Sequence, residues 1–201
     1  MVSQTTKLPL SLTANPRLDR WIKFKADRTV RIASGKVEIG QGIVTALAQI
    51  AAEELELPLA RVTLLSGSTE HGPDERYTSS SLSVMVSGTS IKLVCAEVRA
   101  SLTEQAALRL NCAPDDLDVV DGVFVKDGAI TGLDYWDVAS TLDLSKAPSG
   151  STIPKSTNDY KIVGREVPRT DLPGKLTGAP NAYLHDFYPD GVLHARTLRQ
   201  P

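Results

Sequence analysis

Two stretches of the chain carry residue types that can hold a ligand. The first is Gly40-Gln41-Gly42, preceded by Ile39. It lies between the extended run Lys36-Val37-Glu38-Ile39 and a helical pattern that starts at Ile43. Glycines let main-chain N–H groups come close to a bound molecule, and the start of a helix favours an anionic group such as phosphate. Gln41 adds a side-chain amide that both donates and accepts, which suits a heteroatom-rich ligand. The same residues also make an ordinary tight turn into a helix with a capping amide. They are neither a dinucleotide fingerprint nor a phosphate loop, because the third glycine and the Lys-Ser/Thr pair are both missing. The second stretch is Tyr77-Thr78-Ser79-Ser80-Ser81-Leu82-Ser83. Three serines lead into a long helical pattern and Ser83 sits just inside it, offering hydroxyls and unpaired N–H groups at the positive end of a helix. An ordinary N-cap with spare serines uses the same residues. Taken as a pair, two anion-suited helix starts separated by a strand can face one ligand from two sides.

The other candidates are weaker. His71 lies in a loop with no partner at metal-ligand spacing, and His185 and His194 fall late in the chain. Cys95 sits inside the long helical pattern as a small core residue, and Cys112 follows its end. With no Cys-x-x-Cys, the chain is expected to carry no iron–sulfur cluster or structural zinc of its own. Glu53, Glu54, Asp74, Glu75, Asp115 and Asp116 are adjacent carboxylates that read as solvated pairs rather than acid–base dyads. No catalytic residue and no metal ligand is assigned.

The elements that must position these loops follow from periodicity. Ile22, Phe24 and Ala26 alternate with polar residues, and Val30 and Ile32 resume the alternation after a turn near Asp27, which predicts a hairpin over 19–34. Residues 43–57 are helical, kept thin by Ala46, Ala48, Ala51 and Ala52 and stopped by Pro58. A strand is expected at 61–65, then a polar loop over 66–81, a length that is functional or disordered in most proteins. Leu82, Met85, Val86, Thr89, Leu93, Ala96, Ala100, Ala107 and Leu110 recur at three- to four-residue spacing and predict a helix over 82–110. Short strands follow near 117–120, 122–126 and 129–131, and Asp134-Tyr135-Trp136 opens a short helix. The fold class is α+β: short strands packed with two main helices, followed by the start of an incomplete mostly-β unit with a strand at 192–198. Residues 1–142 form the first domain, 143–160 a linker, and 161–201 a second unit that is cut short.

The 201 residues include 22 Lys+Arg against 24 Asp+Glu, a net charge of −2, which gives no basic footprint for nucleic acid or a membrane surface. With 41% hydrophobic and 23% charged residues the chain can bury a core. No run approaches the roughly 20 apolar residues of a membrane span. The start, Met1-Val2-Ser3-Gln4-Thr5-Thr6-Lys7, shows no apolar leader, so a cytoplasmic location is expected, with a periplasmic or membrane-associated one left open.

Several segments together resemble one family. Lys36-Val37-Glu38-Ile39-Gly40-Gln41-Gly42-Ile43, with Thr45-Ala46-Leu47-Ala48-Gln49-Ile50-Ala51, resembles a molybdopterin-binding segment of the large subunits of molybdenum hydroxylases, the xanthine dehydrogenase and aldehyde oxidase family. The serine run 77–83, followed by Val86-Ser87-Gly88, resembles that family's next cofactor-contacting segment. Val163-Gly164-Arg165-Glu166-Val167-Pro168-Arg169, continuing through Asp171-Leu172-Pro173-Gly174-Lys175, resembles the opening domain of the same subunits, and Leu193-His194-Ala195-Arg196-Thr197-Leu198-Arg199 resembles the strand that follows it. In the commoner members the opening segment precedes the glycine–glutamine segment. The reversed order here is similar to the isoquinoline 1-oxidoreductase and nicotinate dehydrogenase large subunits, as is Leu8-Pro9-Leu10-Ser11-Leu12-Thr13-Ala14-Asn15-Pro16-Arg17-Leu18-Asp19.

The resemblance implies a set of contacts to molybdenum–molybdopterin, in its cytosine dinucleotide form. Ile39, Gly40 and Gln41 would touch the cofactor from the first loop, and Ser80, Ser81 and Ser83 from the second, with Gly42 and Ser79 as neighbours. Serine stands at 79 and 80, where many relatives carry small apolar residues. The implied reaction is hydroxylation of a heterocyclic carbon next to nitrogen, or oxidation of an aldehyde, with water as the oxygen source. Electrons would leave through a 2Fe–2S cluster in a separate iron–sulfur small subunit. The family's active-site glutamate and its glycine–phenylalanine loop have no counterpart in these residues. The chain is therefore expected to be the amino-terminal part of such a subunit, inactive without the remainder. The rival expectation is a non-enzymatic anion- or nucleotide-binding or assembly module.

Overall fold

The computed structural model describes residues 8–180 and 182–200; the run Met1 to Lys7, on which the leader reading rests, lies outside them. The chain forms two compact units, Met1–Val167 and Pro168–Pro201.

In the first unit a short helix α1 (Leu10–Ala14) leads to β1 (Ile22–Phe24), which pairs antiparallel with β2 (Val30–Ser34). The Asp27 carboxylate shapes the connecting turn by accepting from the Thr29 amide at 3.0 Å. Helix α2 (Ile43–Leu55) then crosses over to β3 (Val62–Ser66), which pairs parallel with β2. Parallel strands need such a crossover, and the helical pattern at 43–57 supplies it. A π-helical turn over Ser83–Gly88 runs into α3 (Thr89–Leu110). At Gly88 an added Cβ would lie 2.9 Å from Ile50 Cδ1, so this turn packs directly on α2. A second antiparallel sheet follows, β4 (Leu117–Val120), β5 (Val123–Lys126) and β6 (Ala129–Asp134). Helix α4 (Tyr135–Ala139) is capped by Asp134, whose carboxylate accepts from the Trp136 and Asp137 amides.

The core lies between the first sheet, α2 and α3, and continues under the second sheet. Trp21, Ile22, Val30, Ile32, Leu47, Leu55, Val94, Leu102, Phe124 and Tyr135 are all buried. Alternation along β2 sends Val30 and Ile32 inward and leaves Arg31 on the other face.

Residues 143–160, whose composition predicts a linker, are held to the helices of the first unit by three buried glutamates. Glu53 accepts from the Lys155 ammonium at 2.8 Å and from the amides of Lys161 (2.8 Å), Ile162 (2.5 Å) and Val163 (3.0 Å). Glu54 accepts from the Lys155 amide at 2.8 Å and from Arg99 at 3.0 Å, and Glu97 accepts from Ser149 and Thr152 hydroxyls. The solvated-pair reading of Glu53 and Glu54 is thereby corrected: both are buried and fully engaged. Burial raises the Glu53 carboxyl pKa, but the Lys155 hydrogen bond and the three amides outweigh it and hold the group below its ordinary value.

The second unit holds α5 (Leu172–Thr177), ended by Gly178 in the left-handed region, and a helical turn at Leu184–Asp186. Asp171 binds both Arg169 and Lys175 at 2.8 Å. The strand expected at 192–198 does not form among the described residues. Leu193 and Leu198 are over nine-tenths exposed, and a strand exists only with a neighbour to pair with. Among the described residues no helix is long and apolar enough to cross a membrane.

Candidate functional site

The two loops singled out by residue type lie side by side, tied by Lys36. This lysine follows the end of β2 and is only 3% exposed. Its ammonium donates to the main-chain carbonyls of Glu75 (2.7 Å) and Tyr77 (2.8 Å), on the second loop. The Val37 amide adds a bond to Thr78 Oγ1 at 2.9 Å, and Ser66 Oγ at the end of β3 donates to the Lys36 carbonyl at 2.7 Å. A buried ammonium requires acceptors, and here it has two, both on the second loop, so the loops are held together by a group that cannot be left unpaired.

At the tip of the first loop Gly40 and Gly42 have φ of 104° and 79°, a region that only glycine enters freely. Glu38 closes the start of α2: its Oε1 accepts from the Gly40 and Gly42 amides, each at 2.8 Å, and Oε2 from the Val44 amide at 3.3 Å. This corrects the expectation of a helix start left open for an external anion, since the chain's own carboxylate takes most of it. The Gln41 side chain folds back on its loop, accepting from the Ile39 amide at 2.7 Å and donating to the Val37 carbonyl at 3.0 Å. What remains outward is the main chain: among the described residues the amides of Gln41 and Ile43 have no protein partner, and the Ile39 side chain is 72% exposed.

On the second loop Ser80 and Ser81 both have positive φ, 57° and 56°. Each such non-glycine residue costs on the order of 1–2 kcal/mol, and consecutive ones concentrate at functional sites. The Leu82 amide closes the turn on the Ser79 carbonyl at 3.2 Å. Ser79, Ser80 and Ser81 are exposed, Ser83 is half-buried at the start of the π-helical turn, and none of the four hydroxyls is hydrogen-bonded within the described residues. Exposed apolar side chains flank them along the chain, with Tyr77 85% and Met85 63% exposed.

Under both loops lies a carboxylate that residue types and spacing had placed among the solvated pairs. Glu75 is buried, and its Oε2 accepts from Ser34 Oγ (2.7 Å), the Gly35 amide (2.9 Å) and Ser87 Oγ (2.8 Å). It thus joins the end of β2, the second loop and the π-helical turn. Its Oε1 is buried and without a partner among the described residues. Gly35 is required there, because an added Cβ would fall 2.6 Å from the Pro73 carbonyl oxygen. The remaining candidates stay apart from this surface. Cys95 is a buried core thiol whose pKa is pushed up by burial, and His71 is exposed beside Glu70. Among the described residues no group of three or more His, Cys, Asp and Glu could hold a metal.

The arrangement is a double loop on an α+β frame that carries, among the described residues, two amides and four hydroxyls without a protein partner, next to exposed apolar side chains. The chain matches the family model described as the molybdopterin cofactor-binding domain over residues 3–170, and it belongs to that family. It is 35% identical over 181 residues to one subunit of the nicotinate dehydrogenase of Pseudomonas putida, covering 90% of this chain and 15% of that protein. The beta subunit of isoquinoline 1-oxidoreductase of Brevundimonas diminuta is 24% identical over 220 residues, covering 90% of this chain and 28% of the relative. Aldehyde oxidase 3 of Mus musculus is 34% identical over 171 residues, covering 85% and 12%. The chain therefore spans under a third of the length of these relatives. The fold is that of part of the CO dehydrogenase from Oligotropha carboxidovorans, with a TM-score of 0.52 at 23% identity over 62% of this chain and 17% of that one.

The residues present fit the cofactor the family implies. A pterin with a phosphate tail needs donors for its anionic oxygens and groups that serve as both donor and acceptor for its ring edge. The Gln41 and Ile43 amides, without a protein partner among the described residues, would serve the first, and the serine hydroxyls would serve both.

Proposed function

We propose that this chain is the part of a molybdenum hydroxylase that grips one side of molybdopterin, in an enzyme that hydroxylates N-heterocycles or oxidises aldehydes. The observation that supports it most is the tie through Lys36 and Val37, which joins the residues just before 39–42 to those just before 79–83. Ile39, Gly40, Gln41 and Gly42 form one wall and Ser79, Ser80, Ser81 and Ser83 the other. The Gln41 and Ile43 amides would orient the phosphate, and the hydroxyls of Ser80, Ser81 and Ser83 would fix the ring edge. The exposed Ile39, Tyr77 and Met85 would exclude water once the remainder of the large subunit covers them. When bound, the group would supply the two-electron oxidation in which water provides the oxygen, and this chain would orient it.

In this reading the cofactor is the cytosine dinucleotide form. The partners are the remainder of the large subunit and an iron–sulfur small subunit carrying a 2Fe–2S cluster, in the cytoplasm. Residues 161–201 begin the opening domain of the aldehyde oxidase type. Relatives named as parts of a nicotinate dehydrogenase and of an isoquinoline 1-oxidoreductase support a heterocyclic substrate.

The test is pterin retention. Ser81→Ala and Gln41→Ala, purified natively with their assembly, are expected to release much less fluorescent oxidised pterin per chain, since a lost partner in a buried site costs about 1–3 kcal/mol. Undiminished pterin in both variants contradicts the assignment.

A further inference from the structure

We infer that the free edge of β1 is a docking groove for an extended acidic segment of a partner subunit, which adds to the sheet as a further strand. The first sheet has the order β1-β2-β3, so β1 is an edge. Its register with β2 shows what that edge offers. The Ala33 amide donates to the Trp21 carbonyl at 2.8 Å, and the Lys25 amide donates to the Thr29 carbonyl at 2.9 Å. Both pairs lie directly opposite one another in the ladder that also sets Lys23 against Arg31. Hydrogen-bonded and non-bonded pairs alternate in antiparallel sheets, so Lys23 and Arg31 exchange bonds while Ile22 and Phe24 turn their N–H and C=O groups away from β2. Among the described residues these groups meet no protein partner.

They face a cleft of about 520 Å³ between the edge and α4, lined by Phe24, Trp136, Ser140 and Leu144 among others. Trp136 is a fixed wall: its Nε1 donates to the Thr29 carbonyl at 3.2 Å and the Arg61 guanidinium lies 5.3 Å over its ring. The charge of the cleft selects the occupant. Lys23, Lys25 and Arg31 line it, and two of these cations sit directly opposite each other, an unfavourable cross-strand pair. Lys25 is neutralised by Asp27, and Asp19, the one lining carboxylate, by Arg17. Lys23 and Arg31 have no carboxylate within 4.0 Å among the described residues, and Arg31 Nε is buried without a hydrogen-bond partner. Lysines on an edge also discourage aggregation. That role does not require a half-buried arginine with an orphaned donor, nor a cleft shaped against a tryptophan. Main-chain bonds from Ile22 and Phe24, with carboxylates meeting Lys23 and Arg31 on alternate residues, fit strand addition.

The probe is an acetylated, amidated hexapeptide alternating glutamate and valine, added to the full chain. Saturable binding is expected, with the amide protons of Ile22 and Phe24 slowed in hydrogen exchange. The double substitution Lys23→Glu with Arg31→Gln is expected to weaken binding by about tenfold or more. Protection at Ile22 and Phe24 is read in the unaltered chain, so the test survives a variant that fails to fold. The inference is overturned by absence of binding, by equal binding of the corresponding lysine–valine peptide, by protection elsewhere, or by free glutarate binding as tightly as the peptide.

Discussion

Replacing Lys36 by methionine isolates the tie between the two loops. Methionine keeps the length and apolar stem of the side chain and removes the three donors of the ammonium. Two hydrogen bonds are lost, at 2.7 Å to the Glu75 carbonyl and 2.8 Å to the Tyr77 carbonyl. Bonds from a charged donor contribute about 1.5–3 kcal/mol each. Tyr77 is exposed, so water takes over much of the second bond, whereas Glu75 is buried and its carbonyl loses its partner outright. Methionine also avoids the cost of burying an ammonium. The net loss is about 2–3 kcal/mol, a fall in Tm of roughly 4–12 °C for a chain of this size. Lys36→Met should also speed hydrogen exchange of the amides at 75–81 well before those of α2, because the loop opens locally. Thermal unfolding and exchange mass spectrometry read both effects. A Tm unchanged within about 2 °C, with exchange at 75–81 unaltered, would refute the reasoning.

The Glu53–Lys155 anchor gives a pH signature. The Glu53 carboxyl is held below its ordinary pKa, so its stabilisation is present above the ordinary carboxylate range and is lost as pH falls through the lowered value. Denaturation midpoints from pH 7 to 3 should therefore drop more in the native chain than in Glu53→Gln. Glu53→Ala leaves three amides unpaired and Lys155 with Glu56 alone, and should cost about 3–5 kcal/mol, exposing 149–163 to proteases. Gly35→Ala places a methyl 2.6 Å from the Pro73 carbonyl, and because that atom is backbone it should destabilise by about 1–3 kcal/mol in chemical unfolding.

Local patterns made much of the fold legible. The hairpin turn at Asp27, the alanine-thinned α2, the spacing of α3 and the Asp134 cap are encoded within a few residues of where they act. The site was only half legible. Residue types marked both loops, but the partners of Lys36 lie 39 and 41 positions away and those of Glu53 lie 102 to 110 away, distances no periodicity reports. Glu38 satisfies the helix start from four residues before Gly42, a cap in reverse of the usual serine-to-glutamate order. Positive φ at Ser80 and Ser81 carries no glycine to announce it. The strand expected at 192–198 does not form among the described residues, because residue types state a preference and a partner strand makes it real.

The most direct test of the central claim is elemental analysis of the assembly captured natively through this chain. If the loops at 39–42 and 79–83 grip molybdopterin, molybdenum is recovered in stoichiometric amount with the chain and falls away in Ser81→Ala. A folded chain recovered with its partners and without molybdenum contradicts the account.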